Sequence, residues 1–280
     1  MTESVAEARA AFGKRLREIR RSAGLTGRQL AGLTGWDESK VSKIEYGKTR
    51  PTEDDLRAYC VHARAMDQLP DLAASLSNIE ASYLEWRRVL STGTRRGQEE
   101  SLKLAQQTTM MQVYQPFIIP GLLQTAEYAR AVLREHIEFL GVPDDLEAGV
   151  AKRMERQELL YKARHRFRIL IGEQALYTTV GDSDVMDGQL DRILSVMGLP
   201  TMVFGVVPAV SVPSTAPTNF VMFDKRMVTV ETATAELTVT QPREIALYDR
   251  LFEVLAQRAV VGNAARALVT NASNTHRNLK

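Results

Sequence analysis

The stretch Leu25-Thr26-Gly27-Arg28-Gln29-Leu30-Ala31-Gly32-Leu33-Thr34-Gly35-Trp36-Asp37-Glu38-Ser39-Lys40-Val41-Ser42-Lys43-Ile44-Glu45-Tyr46-Gly47-Lys48 decides how the N-terminal part of this chain is read. It fits two short helices joined by a tight turn. Thr26 is a good N-cap, and Gln29 three residues on completes a capping-box pattern. Leu30, Ala31 and Leu33 read as the buried positions of the first helix, Ala31 being small where two helices cross closely. Gly35 takes the turn, where a left-handed backbone costs little only for glycine. Asp37 opens the second helix. Val41 and Ile44 face its core, while Glu38, Ser39, Ser42 and Lys43 face outward, and Gly47 ends it. Upstream, Phe12, Leu16, Ile19 and Ala23 recur at spacings of three and four, which predicts an amphipathic helix over about 7–23, stopped by Gly24. Downstream, Thr52 with Asp55 starts a fourth helix carrying Leu56 and Tyr59.

That order is the layout of a helix-turn-helix, whose second helix enters the major groove of DNA. Short amphipathic helices and a turn glycine are common singly; the joint spacing of Gln29-Leu30-Ala31, Gly35, Val41 to Glu45 and Gly47-Lys48 is the specific signal. Charge agrees with it. Residues 1–50 hold eleven Lys/Arg and six Asp/Glu, a net +5, against −3 for the remainder and +2 for the whole chain. The basic excess thus lies at the end that would meet phosphates. In the groove, Glu38 can accept from a cytosine amino group, Lys43 can donate to guanine O6 or N7, and Ser39 or Ser42 can serve several bases. Arg28, in the first turn of the preceding helix, and Lys40 are candidates for the DNA backbone.

Over about Phe12 to Met66, these residues resemble the XRE (lambda/Cro-type) helix-turn-helix family. The resemblance implies a five-helix, lambda-repressor-like domain. It implies backbone contacts from Lys48 and Arg50, which lie in the loop after the recognition helix. It also implies an ion pair between Arg20 and Glu45, buried or half-buried in relatives, that would hold one helix against the other. The family often has Gln where this chain has Gly27. One backbone contact is lost there, and Arg28 would replace it.

A length of 280 residues suggests two domains. No run of apolar residues is long enough for a membrane span, and Met1-Thr2-Glu3-Ser4 lacks a basic-then-apolar signal. The single cysteine, Cys60, cannot form an internal disulfide and reads as a core residue. A cytoplasmic protein is expected. His62, His136, His165 and His276 are too scattered for a metal site, and no cofactor is expected. Gly181-Asp182-Ser183 resembles the start of a GDSL-type hydrolase. Such a site also needs a distal Asp-x-x-His, and Ser273 stands at the Asp position before His276. The triplet is therefore read as a turn, and the chain as no enzyme.

Beyond the first domain, Ile79, Tyr83, Trp86 and Leu90 recur at helical spacing, and Ser91 to Gly97 is the best hinge. Met110 to Arg130 reads as a strand, a Pro-Gly turn and a helix capped by Thr125. Val150, Met154, Leu159, Leu160 and Ala163 mark a long helix to about Arg164. Phe167–Ile171 and Met202–Val207 are strands flanking a helix around Leu190, Ile193, Leu194 and Met197, hence a parallel crossover. Asn219–Phe223 and Met227–Glu231 form a hairpin about Asp224-Lys225-Arg226. A last helix covers about Arg243 to Arg258, and the polar tail after Thr270 is expected to fray.

Ile119-Pro120-Gly121-Leu122-Leu123-Gln124-Thr125, with Arg153 to Gln157, Gly172 to Leu176 and Val206-Val207-Pro208, resembles a C-terminal domain of unknown function found in many actinomycete XRE regulators, WhiJ-like and antitoxin-like among them. The resemblance spans roughly residues 98–270. It implies a regulator often encoded beside a small partner protein. Val210–Pro217 is rich in Pro, Ser and Val where relatives tend to have Gly and His. Arg153, Arg156 and Gln157 share a face and read either as an anion or partner site or as satisfied polar surface. The expected fold is α+β: an all-α five-helix DNA-binding domain over 1–76, a helical linker over 77–97, an α/β regulatory and dimerisation domain with a small mixed sheet over 98–272, and a flexible tail over 273–280. Expected partners are double-stranded DNA, a second copy of the chain and a small protein, with no membrane. The principal reading is a DNA-binding transcriptional regulator, the alternative an antitoxin-like interaction protein.

Overall fold

The computed structural model describes residues 3–78, 83–85, 90–215 and 218–278. The chain divides into two compact units: residues 1–82 with 238–244, and residues 83–237 with 245–280.

The first unit is helical: α1 (Glu3–Ser22), α2 (Gly27–Thr34), α3 (Glu38–Glu45), α4 (Glu53–His62) and α5 (Leu69–Asn78). Its boundaries follow local chemistry. Thr26 and Gln29 form a reciprocal capping box on α2, Thr52 and Asp55 another on α4, and Asp37 caps α3 by accepting from the Ser39 N–H at 2.7 Å. Each such cap contributes about 1 kcal/mol. Gly35 closes α2 in the left-handed conformation at φ 71°. Leu16, Leu30, Ile44, Leu56, Tyr59 and Leu72 are fully buried at the centre, with Cys60 among them. One expected core position is corrected: Leu33 is 53% exposed. It lies about 200° around the helix from Ala31, so a two-turn helix that buries Leu30 and Ala31 turns Leu33 outward.

The second unit is built on a mixed sheet, eight-stranded among the described residues. Its strands are β1 (Tyr83–Glu85), β2 (Met110–Gln115), β3 (Arg166–Gly172), β4 (Met202–Val207), β5 (Phe220–Phe223), β6 (Met227–Glu231), β7 (Ala235–Val239) and β8 (Val260–Val261). They lie in the order β1-β7-β6-β5-β2-β3-β4-β8. β2 to β4 are parallel and the other registered pairs antiparallel. The helices are α6 (Thr94–Gln107), α7 (Ala126–Leu140), α8 (Leu146–Gln157), α9 (Ser183–Val196), α10 (Pro242–Arg258) and α11 (Gly262–Asn278). The main core joins Val113, Ile169, Ile171, Phe204 and Val206 of the sheet to Tyr128, Leu190, Ile193 and Val269 of the helices. Overall the chain is α+β, a helical N-terminal region followed by helices on a mixed sheet.

Three expectations for this part are corrected. Tyr83–Glu85 is a strand paired with β7, so the 77–97 segment is not simply a helical linker; Ile79 and Trp86, read at helical spacing there, lie outside the described residues. The helix expected to reach Arg164 ends at Gln157 and tightens into a 3-10 turn over Glu158–Tyr161, which lets Leu159 and Leu160 turn into the core. The tail expected to fray after Thr270 is the last part of α11. His276 is 3% exposed and its Nε2 lies 2.9 Å from the Leu176 carbonyl. A polar composition concealed one packed face, made by Val269, Ala272, Ser273 and His276. At 181–183 the chain enters α9: Ser183 is its first residue, and Asp182 caps it by accepting from the Val185 N–H at 2.9 Å.

Candidate nucleic-acid interface

α3 is short, so its orientation depends on what grips its buried side. Three attachments do. The Arg20 guanidinium donates through Nε and Nη2 to the two Glu45 carboxylate oxygens at 2.6 and 2.8 Å, and its Nη1 donates to the Leu25 carbonyl at 2.6 Å. The Tyr59 hydroxyl donates to the same carboxylate. Both ion-pair partners are buried, Arg20 being 6% and Glu45 7% exposed. Burial works against the Glu45 carboxylate, but the hydrogen bonds from Arg20 and Tyr59 outweigh it and hold that carboxyl below its usual range. Burial, then Glu45, push the Tyr59 phenol up, so it stays a donor. The second attachment is steric. A Cβ on Gly13 would fall 2.5 Å from the Glu45 carbonyl oxygen, and one on Gly47 2.6 Å from the Ala10 nitrogen, so α1 meets the end of α3 backbone to backbone. The third is Lys40, whose Nζ lies 2.6 Å from Asp55 and 4.3 Å from the centre of the Trp36 ring.

With that side gripped, the opposite side is presented. Glu38, Ser39, Ser42 and Lys43 are all exposed, and so are Lys48 and Arg50 in the loop that follows. Arg28 is exposed too and pairs with Glu38 at 3.2 Å, so a cytosine amino group would compete with Arg28 for that carboxylate. Lys40 is the exception among the proposed DNA contacts: its ammonium is engaged by Asp55 and Trp36, and it fastens α3 to α4. Sequence reasoning missed Tyr59, Gly13 and the Lys40–Asp55–Trp36 contact. Only Gly13, a glycine inside a helical pattern, carried a readable signal.

In the second unit, Arg153 and Gln157 on α8 are drawn into a polar network at the Pro120 to Thr125 turn. Gln157 Nε2 donates to the Gly121 and Gln124 carbonyls at 2.9 and 2.7 Å. Arg153 Nη1 donates to Gln124 Oε1 at 2.7 Å, and Gln124 Nε2 donates to the Ile119 carbonyl at 2.7 Å. Gln189 completes it, donating to the Leu123 carbonyl and accepting from the Thr125 N–H. Arg156 lies beside Arg153, and its Nε is buried and, among the described residues, has no hydrogen-bond partner.

Residues 98–271, more than half of the chain, match the family described as "Domain of unknown function (DUF5753)". The chain belongs to that family. Residues 11–73 match a family described as "Helix-turn-helix domain", so a helix-turn-helix domain precedes the DUF5753 domain. No curated protein matches the chain. Among solved structures, one described as "Structure of TrmBL2, an archaeal chromatin protein, shows a novel mode of DNA binding" aligns with 84% of this chain and 87% of its own, at 12% identity and a TM-score of 0.33. That likeness is too slight to carry an argument. Among the described residues no helix is long and apolar enough to cross a membrane.

Proposed function

We propose that this DUF5753 protein is a sequence-specific, DNA-binding transcriptional regulator that works as a dimer in the cytoplasm, with its C-terminal domain serving as a sensing or partner-docking module and not as an enzyme. The observation that carries the DNA reading is the presentation of α3. Its inner side is held by a buried Arg20–Glu45–Tyr59 cluster, and its outer side offers Glu38, Ser39, Ser42 and Lys43 beside the exposed cations Lys48 and Arg50. A rigidly held helix with short polar side chains outward can read base edges, because the positions of its donors are fixed before binding. The dimeric part rests on area: a lone helix-turn-helix buries too little on DNA for useful specificity.

Lys43→Ala is expected to cost about 1–3 kcal/mol on the specific site and to relax preference at one base pair. Lys48→Ala is expected to weaken all sequences alike and to lower the salt slope by about one. Gel-shift titrations on operator and random duplexes at several salt concentrations separate the two. Equal losses on both duplexes for Lys43→Ala would remove it from the base-reading set. A small protein copurifying with the full chain would favour the partner-docking role of the C-terminal domain over sensing.

A further inference from the structure

A cavity of about 300 Å³ lies in the second unit, between one face of the sheet and helices α6, α7 and α8. That volume is at the lower end for small-molecule sites. Its sheet wall has a polar part, Gln115, Thr229, Glu231 and Glu236, and on β2 and β5 is mainly apolar, formed by Met111 and Val113 of β2 and Val221 and Phe223 of β5, alternate residues that share one face. Leu104 and Leu122 extend it. Arg153 and Arg156 also line this space, and among the described residues no carboxylate is in ion-pair contact with either. Burial, and then the neighbouring Arg156 guanidinium, work against the charged form of Arg153, while the Glu231 carboxylate favours the charged form of both arginines without reaching ion-pair contact. Two guanidiniums set side by side and largely removed from water cost free energy that an anion in contact with both would offset.

The surrounding chain is arranged to keep them there. Gln98 and Gln124 accept from Arg153 and fix its direction. Gly121 makes room for Arg156: a Cβ at that position would fall 2.7 Å from Arg156 Nη2. The Pro-Gly-Leu-Leu-Gln-Thr string is thus a support for the arginine pair as well as a turn. Glu100, Glu231 and Glu236 also line the cavity. They limit the charge of an occupant, since a nucleotide triphosphate or another polyanion would set several negative charges beside Glu100 and Glu231, which, after burial, already help to push the Glu236 carboxyl up to about 7.

We infer that this cavity binds a small amphipathic carboxylate, its carboxylate joined to Arg153 and Arg156 and its hydrocarbon part lying on Met111, Val113, Val221 and Phe223. The forked donors of an arginine match a carboxylate geometrically, and the apolar wall supplies the rest of the affinity. This binding stands apart from the DNA-binding reading and is measured without DNA, so either can fail alone.

The experiment is calorimetric titration of the full chain with sodium octanoate, octanol and octylammonium chloride. One octanoate per chain is expected, with the other two probes about tenfold or more weaker. Arg156→Gln is expected to weaken octanoate about tenfold while leaving the melting temperature unchanged or raised, because the buried Nε it removes has no partner among the described residues. Gly121→Ala keeps every charge but displaces the guanidinium, and is expected to weaken octanoate as well. Arg134→Gln, at an exposed position on α7, is expected to bind like the parent. Failure of octanoate to bind, equal affinity for all three probes, or parental affinity in both Arg156→Gln and Gly121→Ala would each overturn the inference. Should Arg156→Gln not fold, Gly121→Ala and the probe series decide.

Discussion

Glu45 concentrates the energetics of the helical unit in one carboxylate. It sits 7% exposed with Arg20 on both oxygens and Tyr59 on one. Glu45→Ala leaves the Arg20 charge buried and unpaired, and the expected loss is about 3–5 kcal/mol in the melting of this unit. Arg20→Met with Glu45→Leu removes both charges and is expected to recover part of it. An unchanged melting temperature for Glu45→Ala would show that the pair contributes nothing. The sign with pH follows from the direction of the shift. The Glu45 carboxyl titrates lower folded than unfolded, so its stabilisation is present above the unfolded carboxylate pKa, about 4.3, and is lost as pH falls through the lower folded value. Acid melts from pH 6 downward are therefore expected to destabilise the parent more than the Arg20→Met, Glu45→Leu variant. At this scale the sequence was partly legible. Arg20 and Glu45 were readable through the positions they share with a known family, whereas Tyr59 was not. Its ring belongs to the apolar face of α4, and nothing in that spacing says that the hydroxyl reaches a carboxylate fourteen residues earlier in the chain.

Elements were most legible where local chemistry sets their ends. The Gly35 stop is written in a single residue, and the Thr26–Gln29 and Thr52–Asp55 capping boxes are each written within four. So is the hairpin turn, where Asp224 and Lys225 take positive φ of 49° and 53° between two short strands. The Pro-Gly-Leu-Leu-Gln-Thr string was legible as a motif but not as a mechanism, because the side chains that use it, Gln157 and Gln189, come 33 and 66 residues later. The C-terminal helix was not legible at all. α11 meets the main core through Ala265, Val269 and Ala272, and its last turns bury Ser273 and His276 in a stretch whose composition reads as solvent-facing. His276 answers the Leu176 carbonyl at 2.9 Å. His276→Ala removes that hydrogen bond, and a loss of about 1–3 kcal/mol is expected in the stability of the second unit, seen as a lower melting temperature. A variant that melts like the parent would return these residues to the status of a loose end.

At the scale of the whole chain, the question is what each unit does without the other. Among the described residues, the helical core draws on residues from Phe12 to Leu76, so a fragment of residues 1–78 is expected to fold. The first unit also includes residues 238–244, however. Arg243 Nε lies 2.8 Å from the buried Asp71 carboxylate, and Arg243 Nη2 lies 2.9 Å from Asp67. The fragment leaves Asp71 without that cation and is expected to melt below the same unit in the full chain, with Asp71→Asn in the fragment narrowing the gap. The fragment keeps α3, Lys48 and Arg50, so its binding to random DNA is expected to survive with its salt dependence intact. If the second unit joins two copies, the fragment cannot hold two half-sites about 34 Å apart in one assembly. It is then expected to sediment as a monomer and to bind a full operator far more weakly than the full chain, while the two bind a single half-site alike. Sedimentation with gel-shift titrations on half and full operators tests this. A monomeric full-length protein, or equal affinity of both for the full operator, would assign specificity to the helical unit alone and leave the DUF5753 domain a role in binding small molecules or proteins but none in dimerisation.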